Sequence, residues 1–355
     1  MADIQCTVLS GTHGQLGQIT LCRETAMNAL NHEMILEITR QLRAWESDNT
    51  IKAVIMRSSQ EKAFCAGGDI RQLYQAGKSN DPRVLDFFRD EYNLNYYIHH
   101  YPKPYIALIN GVVMGGGVGI SIHGSQRIAA EKITFAMPET GIGFFPDIGG
   151  SYFLARCPGE TGYYLGLTGD RINTAEALAL GIVTHHIPRA QWDAFIQGLL
   201  DHAWQDNPHQ EVAAVACYYH QDCIDNHVEQ KHHKINQWFA QVSLDAIIHA
   251  LKNADDELAH TIQKTLQAKS PLSLSVVFEQ LHRGKHMTLA ECLAMEFTLV
   301  QHFLAGHDFY EGVRSVIIDK DQQPQWRPNQ LNAVTQSQVQ AYFEATSHHL
   351  ELNTI

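Results

Sequence analysis

Apolar and polar positions keep one rhythm in the first half of this chain and another in the second. Short apolar runs at Cys6 to Leu9, Gln18 to Cys22, Ala53 to Arg57 and Tyr105 to Ile109 read as strands, the first two paired around the Gly11-to-Gly17 turn. Between them a helix is predicted from about Asn31, because Met34, Ile38, Leu42 and Trp45 recur on one helical face. The cluster Gly115-Gly116-Gly117 follows the Tyr105 strand and opens an apolar segment to His123. This alternation predicts an α/β core with helices packed on a sheet. After about Pro188 the strand signals fade. Residues 190–315 are mostly helix-compatible, with Leu272, Leu274, Val277 and Leu281 at helical spacing. Pro324 and Pro328 mark an extended tail, and Gln338 to Leu350 reads as a last helix. Two regions result, 1–188 and 189–355, divided by a shift of composition and not by a linker.

Composition narrows the function classes. The 355 residues are 45% hydrophobic, enough to bury a full core. A formal charge of -12 excludes general affinity for nucleic acid or anionic membranes, while leaving room for a locally basic pocket. Seven scattered cysteines without a C-x-x-C pair point to a reducing compartment and buried thiols. Met1 to Ser10 shows no basic start followed by an apolar stretch, and no apolar run reaches the roughly 18 residues of a membrane span. A soluble, cytoplasmic protein is the expectation.

Candidate chemistry concentrates in Met137 to Gly150, where Glu139 and Asp147 stand in an otherwise uncharged, apolar run. Gly141, Gly143 and Pro146 argue against one continuous helix, so the acids meet through loop geometry. The expected placement is Glu139 after a short strand (Ile133 to Phe135) and Asp147 at a helix start. A carboxylate among Phe, Ile and Pro is costly to desolvate unless paired or used, which suits a catalytic pair. The blander alternative, Asp147 as a helix N-cap and Glu139 in an ion pair, carries about equal weight on these residues alone.

Two glycine sites precede the acids. Phe64 to Ile70 passes from strand to a helix starting near Asp69, and Gly115-Gly116-Gly117 repeats that transition. Each leaves N–H groups without partners at a helix N-terminus. Two such donors on one oxygen make an oxyanion hole. Rival motifs fail: the chain has no G-x-G-x-x-G at this cluster, no G-x-x-x-x-G-K-[ST] and no H-E-x-x-H. The 21 histidines, with adjacent pairs such as His99-His100, lack metal-ligand spacing, and Cys217, His220 and Cys223 give only a weak metal signal. No metal is expected. Cys65 has no partner base in sequence and reads as packing.

Taken together, KAFCAGGDI (Lys62 to Ile70), NGVVMGGGVGISIHG (Asn110 to Gly124) and MPETGIGFFPDIGG (Met137 to Gly150) resemble the crotonase (enoyl-CoA hydratase/isomerase) superfamily. The resemblance implies a ββα spiral core with a helical C-terminal region. It also implies acyl-CoA as substrate, no cofactor beyond that CoA, and a thioester carbonyl held by the amides of Gly68 and Gly116. Hydratases of the superfamily carry a glutamate three positions after the second of these glycines; here the position is Gly119. Together with Glu139 and Asp147, with FFRDEYNLN (Phe87 to Asn95) and with GHDFYEGVRSVIIDKDQQPQW (Gly306 to Trp326), this resembles the hydrolase branch. That branch cleaves short 3-hydroxyacyl-CoA thioesters and serves valine breakdown. Carried over by motif, Glu139 is the nucleophile or general base, Asp147 orients the substrate hydroxyl or water, and Glu91 borders the acyl pocket. The sequence around Glu91 fits an exposed helix face equally well. Arg23, Lys62 and Arg71, and more weakly Lys320, are the candidate cations for CoA. The likeness is weakest between about 190 and 265, and RETAMNAL (Arg23 to Leu30) departs from the usual opening. A hydratase or isomerase, and a catalytically idle acyl-CoA-binding protein, are the rival readings. Oligomeric state stays open, since the helical half can cover its own core or that of a neighbouring copy.

Overall fold

Both faces of a single sheet are buried, and this sets the architecture. The computed structural model describes residues 2–352. Strands β1 (Ile4–Ser10) and β2 (Gln15–Leu21) pair antiparallel, with Ser10 opposite Gln15 across a four-residue turn. The remaining strands run parallel: β3 (Ile51–Ser58), β4 (Ala63–Cys65), β5 (Tyr105–Met114), β6 (Gln126–Ala136) and the two-residue β7 (His185–His186). The sheet order is β1-β2-β3-β5-β6-β7, with β4 also paired to β5. Val54, Met56, Ala107 and Ile109 face one core, and Ala53, Ile55, Ile106 and Leu108 face the other. Burial on both sides explains why these strands read as continuous apolar runs.

Helices α1 (His32–Glu46), α2 (Ile70–Lys78), α3 (Arg83–His99) and α4 (Gly116–Ile122) fill the crossovers. Helix α1 starts where expected, with Asn31 accepting from the Met34 amide, and it buries Met34, Ile38, Leu42 and Trp45. Asp69 caps α2 through the Gln72 amide. Beyond β7, long elements are helical from Trp192–Leu200 to Asp308–Val313. The main hydrophobic cluster runs from Ile19 to Val339, so side chains of both sequence halves pack into it.

Two sequence expectations are corrected. The last helix is Gln336–Ala341, not Gln338 to Leu350; after it the chain turns, and Tyr342 packs its ring on Phe303. The strand before Glu139 is much longer than Ile133 to Phe135, because β6 keeps its pairing with β5 across a register shift. The Pro324 segment is free of helix and strand, as expected of an extended tail, and Pro324 also lines a cavity at the strand ends.

Candidate active site

Strand β5 ends at Met114 and the chain enters α4 through Gly115 at φ +46°. One layer over, β4 ends at Cys65 and Gly67 takes φ +114° before α2. Side chains other than glycine are strained at both positions. The Leu30 amide donates to Gly67 O and the Asp69 amide to Leu30 O, both at 2.8 Å. This bridge leaves the Gly68 N–H turned away from Leu30, without a protein acceptor among the described residues. Gly116 opens α4, and its N–H likewise has no protein acceptor. The two turns touch: a Cβ built on Gly116 would lie 3.2 Å from Gly68 N. It would also lie 2.5 Å from Glu91 Oε1, so only glycine lets that acid approach the turn.

Gly68, Gly116, Glu91, Glu139 and Asp147 all line one cavity of about 490 Å³. Glu91 is buried, not on an exposed face, and its Oε1 has no partner. Burial, then Asp147, pushes its carboxyl well above the usual range. Glu139 opens a 3-10 turn directly beyond β6, with Oε2 unpartnered and Oε1 beside Gly115, 3.2 Å from where a Cβ would stand. Burial, then Asp147, raises its pKa strongly, and Lys269 pulls it partly back. Asp147 accepts from the Tyr92 hydroxyl at 2.8 Å; burial lifts its pKa to about 7 and the Tyr92 bond holds it down. Three buried carboxyls facing one cavity disfavour one another's ionisation, so their titrations are linked.

Asp147 is not the expected helix start or N-cap. Gly149 caps the short helix α5 (Gly150–Phe153), and the Asp147 side chain turns to Tyr92. Glu139 makes no ion pair among the described residues. Distant groups hold the loop between the acids. Glu296, on the helix Leu289–Ala305, accepts from the amides of Gly149 (2.7 Å) and Ser151 (2.9 Å) and from the Ser151 hydroxyl (2.6 Å). Gln280 donates to Pro146 O, and His123 Nε2 donates to Ile148 O at 2.8 Å. Burial lowers the His123 pKa to about 3, which keeps the ring neutral. These bonds fix Ile148 at φ +55°, a conformation costing a β-branched residue about 1–3 kcal/mol.

The predicted cations do not reach the cavity. Arg23 pairs with Asp69 at 2.7 Å, Arg71 donates to Ile317 O, and neither Lys62 nor Lys320 is part of the lining. The cations that do line it are Arg171 and Lys269, and neither side chain has an ion pair or hydrogen bond among the described residues. Neither belongs to the motifs in sequence; Lys269 meets the acid segment through its charge on Glu139 and at Gly141, whose Cβ position is 3.2 Å from Lys269 Nζ. Tyr92, Gln280 and Glu296 also escaped the sequence reading, which had no signal for which polar side chains turn inward. Cys65 is fully buried, donates to Asn28 O at 3.0 Å and has its thiol pushed up to about 12, as suits packing. No cluster of metal-ligating side chains exists among the described residues.

At Gly119 a Cβ would lie 2.8 Å from Asn95 Nδ2 and 3.1 Å from Ile148 Cβ. The space a second catalytic glutamate would use is thus taken by a buried amide and a core side chain.

Spiral sheet, paired glycine turns and helical cover define a crotonase-type α/β protein. The chain belongs to the enoyl-CoA hydratase/isomerase family, whose sequence model matches residues 16–343. It is 45% identical to "3-hydroxyisobutyryl-CoA hydrolase, mitochondrial" of Xenopus tropicalis, over 93% of this chain and 86% of that protein. Identity to the protein of the same name from Bos taurus is 42%, over 97% and 90%. The crystal structure of a carnitinyl-CoA dehydratase from Mycobacterium thermoresistibile superposes with a TM-score of 0.91 at 33% identity, over 99% of both chains.

Proposed function

We propose that this protein hydrolyses the thioester of 3-hydroxyisobutyryl-CoA, or of a closely similar short 3-hydroxyacyl-CoA, to the free acid and CoA. One observation carries the reading: two unpartnered amides and three buried carboxyls share a cavity, while the hydratase glutamate position, Gly119, lies outside its lining with the space beside it filled by Asn95 and Ile148. The thioester oxygen sits between the Gly68 and Gly116 amides, where charge developing on it is stabilised; one donor of this kind is worth about 10²–10³ in rate. Glu139 either attacks with its own carboxylate, expelling the CoA thiolate and forming a mixed anhydride that water then hydrolyses to free acid and free Glu139, or takes a proton from a water whose oxygen attacks the carbonyl and displaces the thiolate. Mass spectrometry of acyl groups trapped on Glu139 separates these routes. A thiolate with a pKa of about 8.5 by analogy to cysteine leaves without strong acid help, which frees Asp147 to orient the 3-hydroxyl or the water. Arg171 and Lys269 are placed to meet CoA phosphates.

Names of relatives at 40–45% identity support the substrate, and a role in valine breakdown follows from it. Residence in a reducing compartment, proposed as the cytoplasm, rests on seven free cysteines; the relatives carry "mitochondrial" in their names. The test is thiol release over hydroxylated and plain short acyl-CoAs. Fastest turnover is expected with the 3-hydroxyisobutyryl ester, and Glu139→Gln should lower kcat by about 10²–10⁴. Unchanged thiol release in that variant overturns the assignment of Glu139. Hydration or isomerisation without thiol release overturns the reaction.

A further inference from the structure

A second cavity, of about 480 Å³, opens beside the first residue of β5 and shares no lining residue with the acyl site. Its charged lining is all of one sign. Lys103, Arg127 and Arg156 face it, and no carboxylate does, in a protein whose formal charge is -12.

None of these three cations has a carboxylate ion pair among the described residues. Arg127 gives Nε–H to Ile182 O (2.8 Å) and its two terminal nitrogens to Gly124 O (2.9 Å) and Gly181 O (3.1 Å). Arg156 bonds the carbonyls of Tyr152, Gly284 and Met287 and lies 3.8 Å over the Tyr152 ring. Lys103 bonds Trp45 O and Asp48 O. Asp48 and Glu46, which do not line the cavity, act on its charge. Carbonyl bonds lock the direction of each cationic head, and they leave the charge of the two guanidiniums without a carboxylate partner. A guanidinium has five N–H groups and an ammonium three, so each head keeps donors to spare. The rest of the wall is largely apolar, including Ile98, Tyr105, Phe153 and Ile182. His123 stands between the cavities: it lines this one and holds Ile148 O, next to Asp147.

We infer that this cavity is a binding site for a small anion, a carboxylate or phosphate group attached to, or free of, a short apolar body. The cations recognise the anionic head and the apolar wall takes the body.

The experiment is calorimetric titration of the whole protein saturated with CoA, which fills the acyl site, at constant ionic strength held with chloride. Inorganic phosphate and isobutyrate are the two probes. Saturable binding of one anion per chain is expected for at least one probe, weakened tenfold or more by Arg127→Gln and by the double variant Lys103→Gln/Arg156→Gln. Phosphate alone binding would place the ligand among phosphates, and isobutyrate alone among short organic acids. If Arg127→Gln fails to fold, the double variant, which leaves the Arg127 bonds to Gly124, Gly181 and Ile182 intact, carries the comparison. No saturable binding of either probe, or binding unchanged in the folded variants, overturns the inference.

Discussion

At the scale of single residues, the site depends on how much charge a cluster of buried carboxyls will hold. Tyr92 donates the one side-chain hydrogen bond that Asp147 receives, and this bond opposes the upward drift caused by burial. Tyr92→Phe removes it, so Asp147 ionises later. The acid limb of kcat/KM is therefore expected to move to higher pH by about one pH unit, the equivalent of about 1.4 kcal/mol. An unmoved limb would show that Asp147 is not the group titrating there. Lys269 acts in the same direction on Glu139. Lys269→Met is expected to raise KM about tenfold, shift the limb upward and flatten the dependence of KM on ionic strength, because a phosphate partner is lost. A KM that keeps its full salt dependence would remove Lys269 from the CoA contacts.

The candidate residues could be read from sequence because their signals are local. Glycines at strand-to-helix turns and acids within apolar runs stand out without a structure. The cations could not be read this way. Arg171 and Lys269 sit in ordinary polar surroundings and reach the cavity only through tertiary packing, whereas Arg23, adjacent to a motif, is spent on Asp69.

At the scale of elements, periodicity located α1, β1, β2 and β3 to within a few residues, since burial of one or both faces dictates it, but it cut β5 and β6 short. Segment 137–150 resisted, because its shape is imposed from outside. Glu296 satisfies two amides and a hydroxyl of that loop from the helix Leu289–Ala305. Glu296→Ala strands these buried donors, each costing about 1–3 kcal/mol, so a loss of about 3 kcal/mol or more in denaturant unfolding is expected, together with reduced thiol release. Burial raises the Glu296 pKa to about 8. The native state then keeps a proton that the unfolded chain releases in the ordinary carboxyl range. This group's contribution to stability therefore declines as pH rises from that range to about 8, and levels off above it. Glu296→Gln abolishes this titration, and unfolding midpoints at pH 5 and pH 8 should lie closer together than in the unchanged protein. An equal gap in both would assign the slope to other groups.

At the scale of the whole molecule, neither sequence half closes the site alone. Lys269, Ile317 and Pro324 come from the helical half to line a cavity whose glycine turns and acids belong to the first. A chain ended after residue 188 loses those walls together with Gln280 and Glu296, and exposes core side chains such as Phe144 and Phe145 that pack on Phe303 and Phe309. Such a fragment is expected to show no thiol release and to bind hydrophobic dyes. A soluble, active fragment would contradict the shared core.

The bond from Glu296 to Gly149 spans 147 positions of chain. During synthesis the acids leave the ribosome long before the helix that fixes them, so a growing chain carries the reacting groups without their arrangement. Competence therefore waits for that helix to dock, and a half-made chain is not expected to cleave acyl-CoA.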